Sequence, residues 1–181
     1  MKFIKQLNNK KMKIETHEHI NYELPTVVIE NSTILPNQKC LRAQAAIPQN
    51  TLVFSFHGGV TTERTRTSIQ VAGNYHIEAG EFGVYTNHSC EPNAAIVSHF
   101  NAETLCATVK LITLRTIRAG EELTFDYATT EATLTCELLN MPCLCGSSQC
   151  RKIMLGFNQL TNIQKDILIK RGIVADYLYT D

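Results

Sequence analysis

Through about residue 130 the chain carries short apolar and β-branched runs separated by clusters of Pro, Gly, Asn and Asp, and a helical apolar period is sustained nowhere among them. Residues 10–21 alternate weakly and carry many charges, which reads as an exposed strand or a leader. Val27-Val28-Ile29 follows Pro25 as a strand signal, and Leu35-Pro36-Asn37 then turns the chain. Residues 40–47 and 51–56 are extended runs across Pro48-Gln49-Asn50, which predicts a hairpin. A second hairpin is predicted where Gly73-Asn74 separates Ile69-Gln70-Val71 from Tyr75-His76-Ile77, in a small insert near 57–76. Residues 94–100 and 105–117 read as strands joined by Asn101-Ala102-Glu103, and Leu105, Ala107, Val109 and Leu111 alternate with Thr108 and Lys110. Arg118-Ala119-Gly120-Glu121 turns into Leu123-Thr124-Phe125.

The pattern changes near the C-terminus. Ile163, Ile167, Leu168 and Arg171 fall at helical spacing after Thr161, an N-cap candidate, and before Gly172, a stop. Tyr177, Leu178 and Tyr179 follow as an apolar tail that docks on the body or covers a cleft. The fold class is mainly β, a β-rich α+β chain closed by one short helix.

A length of 181 residues with 44% hydrophobic content suits one domain with a real core. Seventeen basic residues balance seventeen acidic ones without long blocks of either sign, so a duplex nucleic acid or a membrane surface is not an expected partner. No apolar run approaches the ~20 residues of a bilayer span, and Met1-Lys2-Phe3-Ile4-Lys5-Gln6-Leu7 lacks the apolar core of a secretory signal. An intracellular, cytoplasmic protein is expected. Seven cysteines, three of them crowded at Cys143, Cys145 and Cys150, fit metal ligation in a reducing compartment better than a disulfide framework.

Three stretches carry candidate chemistry. Asn87-His88-Ser89-Cys90-Glu91-Pro92-Asn93 lies between apolar runs, so its polar side chains border a core and must find partners there. Pro92 removes a backbone donor and makes this a shaped loop. Cys143-Leu144-Cys145-Gly146-Ser147-Ser148-Gln149-Cys150 supplies three thiols of a tetrahedral zinc site, whose fourth ligand would be Cys136, Cys90, Cys106 or Cys40. Gly120-Glu121-Glu122-Leu123-Thr124-Phe125-Asp126-Tyr127 ends on a tyrosine that by itself reads as packing.

Together and in this order, the three stretches resemble a SET-domain lysine methyltransferase with a post-SET zinc motif, of the small stand-alone kind. The likeness runs from about Pro25 to Gly156 and is strongest after Gly73. It implies short curved sheets around a pseudoknot, in which the Asn-His-Ser-Cys segment passes under the Phe-Asp-Tyr segment. It also implies an organisation of 1–23 as leader or strand, 24–135 as SET domain, 136–156 as post-SET segment and 157–181 as helical extension.

The function implied is transfer of a methyl group from S-adenosylmethionine to the ε-amine of a lysine in a histone or other protein. Tyr127 would be catalytic, its hydroxyl beside the transferring methyl. Phe125 and Tyr85 would line the substrate channel, with Phe125 leaving room for di- or trimethylation and Tyr85 equally able to pack. Asn87, His88, Lys39, Leu41 and Leu144 would bind the cofactor. The resemblance answers the fourth-ligand question with Cys90, giving structural Zn2+ on Cys90, Cys143, Cys145 and Cys150. The family's Gly-x-Gly is replaced here by Gln38-Lys39-Cys40, and its Arg-Phe-Ile by Val84-Tyr85-Thr86. The first departure keeps a non-catalytic, zinc-stabilised binding module in view, beside a methyltransferase acting on a lysine-like small molecule or peptide.

Overall fold

The computed structural model describes residues 25–180, so the reading of 10–21 lies outside the described residues. Among the described residues, nine strands form four small sheets, the largest buried cluster lying between them. Strand β1 (Val27–Asn31) pairs antiparallel with β2 (Lys39–Ala43), in register from Val27 opposite Ala43 to Asn31 opposite Lys39. The central sheet has the order β3 (Leu52–Gly59), β8 (Cys106–Thr113), β7 (Ala94–Asn101), all antiparallel. Strands β4 (Ser68–Ala72) and β5 (Tyr75–Glu78) form the hairpin predicted across Gly73-Asn74, with Gly73 at φ +39.

The hairpin predicted across Pro48-Gln49-Asn50 does not form. The chain turns there, with Asn50 in the left-handed region, but β2 has already paired with β1 and β3 goes on to pair with β8. Both runs carried strand propensity, and tertiary pairing chose the partners. Alternation along β8 is realised as inward Ala107, Val109 and Leu111, none more than 1% exposed. Leu105 is instead an exposed turn residue and the strand stops at Thr113, so it is shorter than predicted at both ends.

Strand β6 (Asn87–His88) lies parallel to β9 (Thr124–Phe125), with Asn87 opposite Thr124 and His88 opposite Phe125. Neither two-residue pair would persist alone. Asn93 supports it, because its amide donates to Glu122 O at 2.7 Å and accepts Thr124 N–H at 2.9 Å. Strand β2 supports it from another direction, since Leu41 N–H reaches Tyr85 O and Leu41 O accepts Leu123 N–H, both at 2.8 Å. Segments far apart in sequence are thereby stitched side by side.

Helix α1 (Glu81–Val84) is a single turn before this crossing. Helix α2 (Asn162–Lys170) starts at Thr161, whose hydroxyl accepts Gln164 N–H while the Gln164 side chain accepts Thr161 N–H, a capping box. It ends before Gly172 at φ +70. The packed face differs from the one predicted, because Leu168 is buried among Phe157, Leu160 and Val174 whereas Ile163 is 74% exposed. The tail docks through Tyr177, whose hydroxyl donates to Gln70 O in β4 and to Thr130 O.

Candidate active site

The β6–β9 crossing places the motif side chains. Tyr127 opens a one-turn 3-10 helix, Tyr127–Thr129, capped by the Asp126 carboxylate accepting from Ala128 N–H at 3.1 Å. Its ring lies 4.8 Å from Phe125 and 5.2 Å, edge-on, from His88. Its hydroxyl donates to Thr86 O at 3.2 Å. Burial pushes that hydroxyl up to about 12, against the pull of Arg66 and with the help of Glu131, so it stays protonated at physiological pH. Such a group can orient and polarise, but it does not abstract a proton.

His88 is buried, and burial holds its imidazole down at about 4 although Asp126 works in the opposite direction. It is therefore neutral. Its Nδ1 accepts Tyr127 N–H at 3.3 Å, which leaves the proton on Nε2 to be donated to Cys90 Sγ, also at 3.3 Å. The ring thus links the backbone of Tyr127 to the thiol of Cys90.

Four thiols converge beside it. The Sγ atoms of Cys90, Cys143, Cys145 and Cys150 lie within 4.8 Å of one another, and Cys90 and Cys143 are 3.8 Å apart. A tetrahedron of sulfurs at ~2.3 Å from zinc has edges of about 3.8 Å, so the spacing fits that ion. Backbone N–H groups of Arg151 and Lys152 point at Cys90 and Cys150 at 3.4 and 3.3 Å, the usual outer support of a thiolate site. Burial raises Cys90 to about 11 and raises Cys143 as well, so a metal arriving there would displace protons. Cys40, Cys106 and Cys136 lie outside the cluster.

Arg151 ties the cluster to the crossing. Its guanidinium grips Asp126 with two bonds of 2.6 and 2.7 Å, and both side chains are almost wholly buried. A cleft of about 670 Å3 opens between these parts, and Lys39, Tyr85, Asn87, His88, Phe125, Tyr127 and Leu144 all contribute to its wall. A second cleft of about 510 Å3 shares Asn87, His88 and Cys145 with it. Both volumes are of small-molecule size. Asn87 Nδ2 donates to Lys39 O at 3.0 Å, and Lys39 Nζ sits 5.8 Å over the Tyr85 ring. Leu41 is not brought to the cleft, because its side chain is fully buried in the core. Leu144 stands at the rim, 59% exposed.

The β6–β9 crossing and Tyr127 lie in a stretch that matches a known family over half of the chain: residues 38–128 match the SET domain. The chain belongs to the SET-domain family. Over 92 residues it is 36% identical to the histone-lysine N-methyltransferase Su(var)3-9 of Drosophila pseudoobscura pseudoobscura, a match covering 44% of this chain and 14% of that protein. Over 58 residues it is 43% identical to the histone-lysine N-methyltransferase SUV39H2 of Mus musculus, covering 29% and 12%. The matches thus span only a small part of these curated relatives. Among solved structures, KRYPTONITE in complex with mCHG DNA and SAH superposes with a TM-score of 0.58 at 24% identity, over 72% of this chain and 29% of that one. KRYPTONITE in complex with mCHH DNA, H3(1-15) peptide and SAH gives 0.57 at the same identity and coverage. These superpositions show a shared fold. Among the described residues, no helix of this SET domain is long and apolar enough to cross a membrane.

Several residues that organise the site had no role in the sequence reading. Asp126 and Asn93 lie inside the motifs and Arg151 directly follows the last cysteine, so adjacency was their only signal. Thr86 contributes a carbonyl, which no side-chain pattern reports.

Proposed function

We propose that the chain is a protein-lysine methyltransferase that takes its methyl group from S-adenosylmethionine and holds a structural zinc ion. The observation that carries the reading is Tyr127, a half-buried residue whose protonated hydroxyl reaches the Thr86 carbonyl and whose ring meets Phe125 and His88, on the wall of a cleft of cofactor size. Bound there, S-adenosylmethionine would supply a methyl group as an electrophilic sulfonium. The chain's own task is to hold a lysine nitrogen in line with that methyl and to exclude water. Tyr127 and the Thr86 carbonyl provide oxygens that can orient polarised C–H groups. Phe125 presents no hydroxyl to anchor a water, which leaves room for further methylation. Asn87 and His88 line both clefts, Lys39 contributes a cation over Tyr85, and Leu144 an apolar rim.

Cys90, Cys143, Cys145 and Cys150 would hold zinc with no position left open, so the ion would order the post-SET segment and take no part in the chemistry. The histone-lysine methyltransferase names of the relatives support a lysine-containing protein as substrate.

Calorimetry with S-adenosylmethionine on zinc-replete protein, followed by methyl transfer to a degenerate lysine-centred peptide library, tests the reading. Wild type is expected to bind and to transfer. Tyr127→Phe should bind nearly as well and lose about 10²–10³ in turnover, the usual cost of one transition-state donor. A correctly folded wild type that fails to bind the cofactor would instead point to a binding module.

A further inference from the structure

Glu131 stands one turn after Tyr127, is 8% exposed, and borders the same cleft. Its backbone N–H donates to Tyr127 O at 2.9 Å, so the two residues move as a unit. One carboxylate oxygen, Oε1, is anchored: it accepts Gln70 N–H of β4 at 2.8 Å and the Thr130 hydroxyl at 3.3 Å. Gln70 is itself clamped, with its amide oxygen accepting Ala132 N–H at 2.9 Å and its carbonyl accepting the Tyr177 hydroxyl. The other oxygen, Oε2, has no hydrogen bond among the described residues; His76 Nδ1 lies 3.9 Å away, and that nitrogen is buried without a partner among them. One carboxylate oxygen is thus fixed and the other carries no hydrogen bond among the described residues, on a residue that borders the cleft, which leaves Oε2 able to accept from a group entering there.

The surrounding charges allow this. Burial, reinforced by Arg64 and opposed by Glu78, lowers the His76 imidazole on β5 below its ordinary value. Arg64 is occupied with Thr133 O at 2.9 Å, and Arg66 lies on the cleft wall. The hydroxyls of Tyr127 and Tyr177 are both pushed well above neutrality by burial, so neither competes as a base. Glu131 itself is raised by burial to about 7, against the pull of Gln70 N–H, the Thr130 hydroxyl and Arg64.

We infer that Glu131 is the proton acceptor for the substrate: its Oε2 takes a proton from the lysine ammonium beside Tyr127. This rests on the methyltransferase reading. A lysine of pKa ~10.4 is neutral in about one molecule in a thousand at pH 7.5, so the attacking form must be made. One N–H bond breaks and one O–H bond forms on Glu131. The lone pair left on nitrogen then forms the N–C bond as the methyl C–S bond breaks, its electron pair passing to sulfur. The carboxyl afterwards gives its proton to water at the cleft mouth.

The test is single-turnover methyl transfer from S-adenosylmethionine to the degenerate lysine-centred peptide library between pH 6 and 10, using zinc-replete full-length wild type, E131Q and E131D. S-adenosylhomocysteine binding and a 13C-carboxylate NMR titration of Glu131 accompany it. Wild-type rates should rise with an inflection near pH 7 and level off above about pH 8. E131Q should be about 100-fold slower at pH 7.5, with a deficit that closes toward pH 10 and unchanged S-adenosylhomocysteine affinity. E131D should regain the inflection in part, and the NMR midpoint should lie near 7. Should E131Q fail to fold, the E131D profile and the NMR midpoint decide alone. An E131Q profile parallel to wild type at every pH, or a midpoint near 4, overturns the inference while leaving methyl transfer intact. Wild type that transfers no methyl to any peptide overturns the methyltransferase reading and this inference with it.

Discussion

Arg151 and Asp126 form a buried pair in which the guanidinium donates one bond to each carboxylate oxygen. Removing one member of a buried pair leaves an uncompensated charge, so Arg151→Ala is expected to lower the unfolding free energy by about 3–5 kcal/mol, measured by urea titration of zinc-loaded protein. Phe125 makes a different kind of prediction. Phe125→Tyr introduces a hydroxyl near Tyr127, and mass spectrometry of the methylated peptides is expected to show products shifted toward monomethyl-lysine. At this scale the motif residues were legible because their chemistry is local: Asn87, His88, Cys90 and Tyr127 sit in short, dense patterns. Glu131 and Arg151 were not, since their partners lie 61 and 25 positions away and nothing in the neighbouring sequence marks the pairing.

Elements were legible in proportion to how far their turns determined their partners. The β4–β5 hairpin has a Gly73-Asn74 turn that fixes its pairing, whereas Pro48-Gln49-Asn50 merely redirects the chain between sheets. The same limit explains helix α2. Periodicity found its existence and cap, but which apolar residues pack depends on Phe157 and Val174 arriving from outside it. Thr161→Ala should cost about 1 kcal/mol through loss of the cap, a small fall in the melting temperature. Gly156 is stricter, because a Cβ there would come within 2.6 Å of Thr133 Cα and 2.8 Å of Ala132 O. Gly156→Ala is expected to separate the post-SET segment from the body and weaken S-adenosylhomocysteine binding by calorimetry. Chelation of zinc from protein loaded with it should have a related outcome: loss of cofactor affinity with the far-ultraviolet circular dichroism retained.

For the whole molecule, pH links these local environments to stability. Glu131 has a folded pKa of about 7 against an ordinary 4.5, so the folded state binds more protons between those values. Its contribution is full below about pH 4.5 and is lost as pH rises through about 7. Replacing Glu131 with Gln should therefore raise the melting temperature relative to wild type at pH 8 and change it little at pH 5. Glu121 acts in the opposite sense. Burial alone would raise it, but Arg115, Arg118 N–H and Asn93 hold it at about 2, so its contribution is present above about pH 4.5 and lost as acid approaches pH 2.

The parallel pairing of β6 with β9, and the joining of Cys90 to three cysteines beyond residue 140, also set a timetable. A chain emerging from the ribosome N-terminus first can build the β1–β2 and β4–β5 pairs early. Strand β6 then waits for residues 124–125, and Cys90 waits longer still for Cys150. The centre is thus finished only once residue 150 has been released. A nascent chain truncated before residue 143 should be a compact body without an assembled catalytic pocket, and premature termination would yield a silent product in place of a partly active one.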